Sequence, residues 1–188
     1  MALKSTIFKL DLNVADLDRQ YYADFPLTLA RHPSETDERM MLRVLAFALN
    51  ASESLEFGRG ISTDDEPDLW QKDLTGSIET WIELGTPDPD RLRKACSRSR
   101  RVILYAYGDR AAPVWWQKHG PSLERFKHLE VWQIPDAAAR ALAAMARSGL
   151  ELQCTLSGGE AWLNGAGESV TVRPQVLKEG TQAAITTR

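Results

Sequence analysis

The chain has 188 residues, of which 43% are hydrophobic and 26% are charged, and its formal net charge is −3. This composition is that of a globular protein with a substantial core, and the charge argues against a surface coated in positive residues for general DNA binding. No apolar run approaches the roughly 20 residues of a membrane span, and the N-terminus has no apolar signal segment. We therefore expect a cytoplasmic protein with no membrane partner.

Cysteine and histidine offer little for thiol or zinc chemistry. Cys96 and Cys154 lie far apart in the sequence, and neither has a neighbouring histidine. Both are expected to be reduced thiols rather than a disulfide. None of the three histidines forms an H-x-x-x-H pair, which argues against a zinc site.

The first part of the chain has the pattern of a hairpin followed by a helix. Apolar residues alternate over residues 5–14 and again over 21–29, which predicts two antiparallel strands. A helix is predicted from Ser34, its expected N-cap, to about Asn50. A short strand over 55–57 follows.

The middle of the chain predicts the centre of a sheet. Residues 69–73 and 77–84 are expected to form two strands joined by a turn. Residues 87–99 predict a helix with acids at its start and arginines at its end. The nearly continuous apolar run over 101–107 is typical of a strand covered on both faces.

The remaining pattern completes a single domain. The elements predicted after the central strand are a helix over 111–118, a strand over 129–134, a helix over 136–147 and two or three short strands within 150–173. Residues 174–188 have little periodicity, and we expect a poorly ordered C-terminal tail. The sequence thus predicts one α/β domain over residues 1–173, with a mixed β-sheet flanked by helices and a β-hairpin at each end.

Two carboxylates mark a candidate site. Asp68 follows Pro67 at the start of one predicted strand, and Glu83 lies near the end of the next. If the strands pair, both side chains can point into one cleft, where their oxygens suit a hard divalent cation. The alternative is that both are solvated residues on the outer face of the pair, which is the commoner outcome for so short a motif.

Metal-assisted cleavage of a phosphodiester also needs positive charge near the attacking water or the phosphate oxygens. Lys72 lies on the Asp68 face of its strand, and Lys94 lies about two turns into the following helix. Either lysine could supply this charge. The alternative for both is an ordinary solvent-facing lysine.

The first helix offers a third acid. Glu38 borders the apolar stripe of that helix, a position that suits an extra metal ligand or a charge partner. Glu35 precedes it and could form an i,i+4 pair with Arg39 that has no catalytic meaning.

Basic and aromatic residues around these acids suggest contact with nucleic acid. The segment 91–101 holds six basic residues and no acid, and could grip phosphates. Trp70 and Trp81 could stack on an unpaired base. The alternatives are a helix C-terminus with a solvated face for the basic segment, and core packing for the tryptophans.

Several segments together resemble the YaeQ family of small bacterial proteins, and the resemblance covers about residues 1–173. The segments that carry it are Arg31–Thr36, Arg39–Arg43, Asp64–Pro67, Trp81–Gly85, Lys94–Cys96 and Trp115–Trp116. Members of this family are similar in fold to the PD-(D/E)xK nuclease superfamily, which has the restriction-endonuclease-like fold. The core of that superfamily runs helix, three strands, helix, strand, which is the order predicted here for residues 34–107.

The resemblance implies a metal site. Asp68 matches the first acid of the superfamily motif and Glu83 matches its second acid. Glu38, or less well Glu35, corresponds to the acid found on the first core helix. Asp68, Glu83 and Glu38 would then be the ligands of Mg²⁺.

The resemblance also implies a function, with one departure from the motif. Gly85 stands where the motif has its lysine, so Lys72 or Lys94 would have to replace it. The implied activity is a Mg²⁺-dependent nuclease that acts on DNA or RNA. The alternative is a nuclease-fold module without catalytic activity that binds nucleic acid or a protein partner.

Overall fold

The structure is a computed structural model that describes residues 4–59 and 65–181. In chain order its elements are β1 (Thr6–Asp16), β2 (Tyr21–Arg31), α1 (Asp37–Leu49), β3 (Leu55–Phe57), β4 (Leu69–Lys72), β5 (Ile78–Leu84), α2 (Pro89–Arg98), β6 (Ser99–Ala106), α3 (Ala111–Leu123), β7 (Leu129–Gln133), α4 (Asp136–Ala144), β8 (Leu150–Ser157), β9 (Glu160–Gly165), β10 (Glu168–Val172) and β11 (Gln175–Lys178). None of the helices in these two ranges is long and apolar enough to cross a membrane.

The first sheet joins the two ends of the chain, in the order β10-β9-β8-β1-β2. Strands β1 and β2 form the predicted hairpin, because their alternating apolar residues give one buried and one exposed face. Strands β8, β9 and β10 form an antiparallel meander. Strand β8 pairs with β1 in parallel, so the two terminal segments make one five-stranded sheet.

The second sheet carries the candidate site, in the order β11-β7-β6-β5-β4-β3. Strands β5, β6 and β7 are parallel, and β3 and β4 extend the sheet as an antiparallel edge. The apolar run of β6 places this strand at the centre, covered on both faces. In an open sheet of this kind, ligands bind beyond the carboxyl ends of the parallel strands.

The helices divide the core in two. Residues 40–48 of α1 are all buried, because this helix packs with α4 among apolar residues of both sheets. Residues from α2 and α3 cover the other face of the second sheet, around Trp81, Leu104 and Val131. The mixed α/β class is confirmed, but the prediction of a single sheet is wrong, because the terminal hairpins combine into a sheet of their own.

Two local predictions also need correction. Helix α1 begins at Asp37 rather than beside Ser34: the Thr36 side chain caps it by accepting from the Arg39 N–H at 3.1 Å, whereas the Ser34 hydroxyl lies 2.6 Å from a ring nitrogen of His32. The tail expected from residue 174 instead starts with β11, which pairs antiparallel with β7. Residues 182–188 of that tail and Asp64 lie outside the described residues.

Candidate functional site

A pocket of about 370 Å³ lies at the carboxyl ends of β5 and β6. Its charged lining residues are two predicted acids, Asp68 and Glu83, together with Glu66, Arg39 and Arg91. Tyr107, just after β6, forms another part of the wall. The structure therefore brings Asp68 and Glu83 into one pocket, as the sequence predicts.

Asp68 is buried and tied to two elements. Its Oδ2 accepts from the backbone N–H of Leu84 at 2.8 Å, which fixes the carboxylate beside the end of β5. Its Oδ1 accepts from Nη2 of Arg39 on α1 at 2.6 Å. A charge-assisted bond and a backbone N–H thus balance a carboxylate that burial would otherwise destabilise.

Glu83 is buried one residue before Leu84 and also has two donors. Its Oε1 accepts from Nε1 of Trp81 at 2.8 Å and from Nε of Arg91 at 2.9 Å. Trp81 reaches it because residues two apart on a strand share a face. Arg91, in the first turns of α2, also donates to the backbone oxygen of Glu66 at 2.6 Å, which links α2 to the segment before Asp68.

The two acids interact electrostatically. Burial and, to a smaller extent, the nearby charge of Asp68 raise the pKa of Glu83 to about 7, against the opposing effects of Arg91 and Trp81. For Arg39, burial is the largest single effect and lowers the pKa, but the charge and hydrogen bond of Asp68, with smaller contributions from Tyr107 and Glu35, together outweigh it and the pKa is raised. At neutral pH the pocket therefore holds Glu83, whose pKa is close to the pH of the solution, and the charged Arg39.

The other predicted site residues do not line this pocket. Glu38 is half-buried on α1, and its charge contributes to the raised pKa of the pocket residue Tyr107, which is raised mainly by burial. Lys94 is exposed on α2. Lys72 is exposed at the end of β4, with Nζ 3.5 Å from the centre of the Trp70 ring.

The cations of the pocket are instead arginines, which sequence reasoning did not assign to it. For Arg39 the sequence predicts only an i,i+4 pair with Glu35, and that contact exists, at 3.5 Å. Glu35 itself is buried and held by Arg43, whose Nε and Nη2 donate to its two oxygens at 2.8 and 2.7 Å. Glu35 therefore pairs mainly with Arg43 of α1, whereas Nη2 of Arg39 donates to Asp68.

The basic segment 91–101 does not form one phosphate-binding surface. Its arginines separate onto different faces, and each contacts an acid. The pairs are Arg91 with Glu83, Arg93 with Asp90, Arg98 with Asp65, Arg100 with Glu79 and Arg101 with Glu130. Only Arg91 of this segment lines the pocket.

Gly85 has a backbone conformation that disfavours a lysine at this position. Its φ is +92°, in the left-handed region that favours glycine over residues with a Cβ. Its N–H donates to the backbone oxygen of Tyr105 at 2.9 Å, which fixes the chain as it leaves β5. A lysine here would strain the backbone.

The acids fit one kind of metal ion. Over residues 4–59 and 65–181, no three His, Cys, Asp or Glu side chains cluster as ligands for a metal. Asp68 and Glu83 supply two carboxylates. Two are enough for Mg²⁺, which keeps several waters and takes further oxygens from a substrate phosphate, but not for a site built wholly of protein ligands.

Comparison with known proteins places the chain in a family. The family model described as "YaeQ protein" matches residues 1–174. The chain is 47% identical to the YaeQ protein of Salmonella typhi over 173 residues, covering 92% of this chain and 96% of that one. It is 48% identical to the YaeQ protein of Escherichia coli K12 over 164 residues, covering 87% and 91% of the two chains.

Solved structures agree. The crystal structure of the YaeQ protein from Xanthomonas axonopodis pv. citri matches with a TM-score of 0.90 at 46% identity, over 93% of this chain and 99% of that one. The YaeQ crystal structure from Pseudomonas syringae also matches with a TM-score of 0.90, at 38% identity, over 95% and 98% of the two chains. The chain belongs to the YaeQ family.

Proposed function

We propose that this protein is a Mg²⁺-dependent phosphodiesterase of the nuclease type that acts on DNA or RNA. The observation that carries the proposal is the shared pocket of Asp68 and Glu83, two buried carboxylates positioned by neighbouring strands. The order α1-β3-β4-β5-α2-β6 is also the order expected of a PD-(D/E)xK core. Both features favour phosphodiester chemistry over other uses of the pocket.

Asp68 and Glu83 would hold the metal, which when bound would stabilise negative charge on the phosphate and activate a water. The remaining roles fall to this chain's own residues. Arg39 and Arg91 line the same pocket and provide the positive charge that the lysine of the motif would supply. A guanidinium can contact two phosphate oxygens at once, so this replacement is chemically sound.

The charges of the pocket give the arginines a second role. Without a cation, the charges of Arg39 and Arg91 balance those of Asp68 and Glu83, through contacts of 2.6 and 2.9 Å. A divalent cation on the two carboxylates would shift these four side chains from near neutrality to a net positive charge. The arginines would then be able to turn to the phosphate, which couples metal binding to substrate binding.

A second candidate is a nuclease-fold module that binds nucleic acid or a protein partner without cleaving. The pairing of each acid with an arginine supports it, because a cation has to compete with these contacts. The pocket would then bind an anionic group through the arginines alone.

One experiment separates the two candidates. Purified protein is incubated with single- and double-stranded DNA and RNA in Mg²⁺ or Mn²⁺, beside Asp68→Asn, Glu83→Gln and the exposed control Glu168→Gln. The nuclease proposal predicts cleavage that falls by about 10²-fold or more in the first two variants and is unchanged in the control. Binding without cleavage would establish the second candidate, and cleavage that survives both substitutions would contradict the proposal.

A further inference from the structure

A second cavity lies between the two sheets, away from the Asp68–Glu83 pocket. It has two adjoining lobes that share Arg19, Leu49, Asn50 and Arg101. The polar lobe, of about 370 Å³, extends to Ser52, Gln71 and Thr80. The aromatic lobe, of about 290 Å³, extends to Tyr105, Trp132 and Leu156.

The polar lobe has the donors of an oxyanion site. Its lining combines the two guanidiniums with the neutral polar side chains of Ser52, Gln71 and Thr80 and, within the described part of the chain, includes no carboxylate. Asn50 also lines it, but both N–H groups of its amide already donate, to the Ala46 backbone oxygen and the Tyr105 hydroxyl. The Ser52 hydroxyl is buried and has no hydrogen-bond partner among residues 4–59 and 65–181. A buried hydroxyl without a partner costs about 1–3 kcal/mol, so a rotation of the Ser52 side chain toward the cavity, where it could donate to a ligand oxygen, would be favoured.

The two arginines are held in place by acids outside the polar lobe. Arg101 donates from Nε and Nη2 to Glu130 at 2.7 and 3.1 Å. Arg19 donates to Asp16 and, from Nη1, to the backbone oxygen of Ala51 at 3.1 Å. Each guanidinium has five N–H donors, so these contacts orient both groups and leave donors for a ligand.

The aromatic lobe suits a flat, largely apolar body. Tyr105 and Trp132 supply rings, and Leu49 and Leu156 supply aliphatic surface. The Tyr105 hydroxyl accepts from Nδ2 of Asn50 at 2.8 Å, so its proton is available to a ligand. Burial raises the pKa of Tyr105 to about 12, which keeps it a neutral donor.

The acids of the aromatic lobe have donors of their own. Asp16 and Glu130 pair with the arginines, Asp18 accepts from the backbone N–H of Gly158 at 2.8 Å, and Glu160 pairs with Arg173. They flank the apolar surface without entering the polar lobe. The cavity therefore separates an anion-binding part from a part for an apolar ring.

We propose that this cavity binds a small molecule that joins a phosphate to an aromatic ring, with the phosphate in the polar lobe and the ring in the aromatic lobe. A nucleoside monophosphate has this chemistry. The proposal is independent of the nuclease activity, since it involves none of the residues of the Asp68–Glu83 pocket.

The test is a titration of the full chain with adenosine monophosphate, followed by ¹H–¹⁵N NMR and calorimetry, with inorganic phosphate and adenosine as separate arms. We expect saturable binding, with shifts at Ser52, Thr80 and the Trp132 indole. Phosphate alone and adenosine alone should each bind at least tenfold more weakly. Equal affinity for phosphate and the nucleotide, or shifts confined to the Asp68–Glu83 pocket, would overturn the proposal.

Variants locate the site. Ser52→Ala with Thr80→Val removes two polar-lobe hydroxyls without altering charge and should weaken binding about threefold to tenfold. Arg101→Gln with Glu130→Gln removes the charge without leaving an unpaired acid and should weaken it more than tenfold. Thr28→Val, exposed on β2, is the control and should leave the affinity unchanged. Wild-type affinity in the hydroxyl variant, measured on folded protein, would contradict the proposal even if the charge variant failed to fold.

Discussion

Arg39 Nη2 lies 2.6 Å from Asp68 Oδ1, so the first turns of α1 are bound directly to the residue that precedes β4. Arg91 makes the equivalent contact from α2, with Nε 2.9 Å from Glu83 Oε1. Two of the helices that pack on the second sheet thus each place one arginine on one acid. Folding stability and the proposed binding of metal and substrate would therefore depend on the same four side chains.

Removal of the Arg39 charge should strengthen metal binding but lower the stability of the fold. Arg39→Gln should strengthen Mn²⁺ binding about threefold or more, since it takes one positive charge away from the carboxylates. It should also lower the free energy of unfolding by about 1–3 kcal/mol, because Asp68 stays buried with a weaker partner. Calorimetry and urea unfolding measure the two effects, with Arg39→Lys as the charge-retaining control. Weaker Mn²⁺ binding in Arg39→Gln would show that the arginine does not compete with the cation.

The stability of the protein should depend on the titration of Glu83. Its pKa is raised to about 7 in the folded state from 4.5, so between these values the folded chain binds more protons than the unfolded chain. The stabilisation is full below about pH 4.5 and is lost as the pH rises through about 7. We expect the free energy of unfolding to fall by about 1–3 kcal/mol from this group between pH 5 and pH 8.

Urea unfolding at pH 5, 6, 7 and 8 measures this loss, with Glu83→Gln as the test variant and Glu168→Gln as the exposed control. The decline should be smaller in Glu83→Gln and the same as wild type in the control. An identical decline in all three proteins would place the titrating group elsewhere.

Gly85 should be required for its backbone conformation. Gly85→Ala should lower the free energy of unfolding by about 1–2 kcal/mol, the cost of placing a Cβ in the left-handed region. Crowding adds little, because the new Cβ would lie 3.7 Å from the Tyr107 ring, an ordinary contact. Gly85→Asn should lose less, since asparagine tolerates this region better. Denaturant unfolding checks the order, and equal losses in both variants would indicate a cause other than the backbone.

The lysines expected from the sequence should matter less than the arginines. Lys72 and Lys94 are exposed and do not line the pocket, so Lys72→Ala combined with Lys94→Ala should cleave within about threefold of wild type. Arg91→Gln should lose about 10²-fold, as expected for a lost charge-stabilising donor. Single-turnover cleavage rates provide the comparison. A larger loss of cleavage rate in the double lysine variant than in Arg91→Gln would indicate that a lysine supplies the catalytic charge.

The sequence predicts elements and residue pairs that depend on local pattern. The β1–β2 hairpin follows from strict alternation, and β6 follows from a continuous apolar run. The meeting of Asp68 and Glu83 follows from their places on two strands joined by a short turn. Each of these predictions needs only the two-residue period of a strand and the pairing of strands that are adjacent in the sequence.

What the sequence does not predict depends on distant partners. Arg39 lies 29 residues from Asp68, so no local spacing connects them. Strand β11 lacks an apolar pattern because Lys178 occupies its buried end, where Nζ donates to the backbone oxygens of Phe126 and Leu129 at 2.9 and 3.0 Å. The second cavity combines Arg19, Asn50 and Arg101 from the β1–β2 turn, the end of α1 and the start of β6, which only the tertiary fold brings together.

A calorimetric titration with Mn²⁺ at pH 8 measures whether Asp68 and Glu83 jointly bind a divalent cation, on which the proposed function depends. At this pH most Glu83 carboxylates have lost their proton, as a metal ligand must. The proposed metal site predicts one Mn²⁺ per wild-type chain, affinity reduced at least tenfold in Asp68→Asn and in Glu83→Gln, and wild-type affinity in Glu168→Gln. Absence of Mn²⁺ binding, or equal binding in all four proteins, would contradict it.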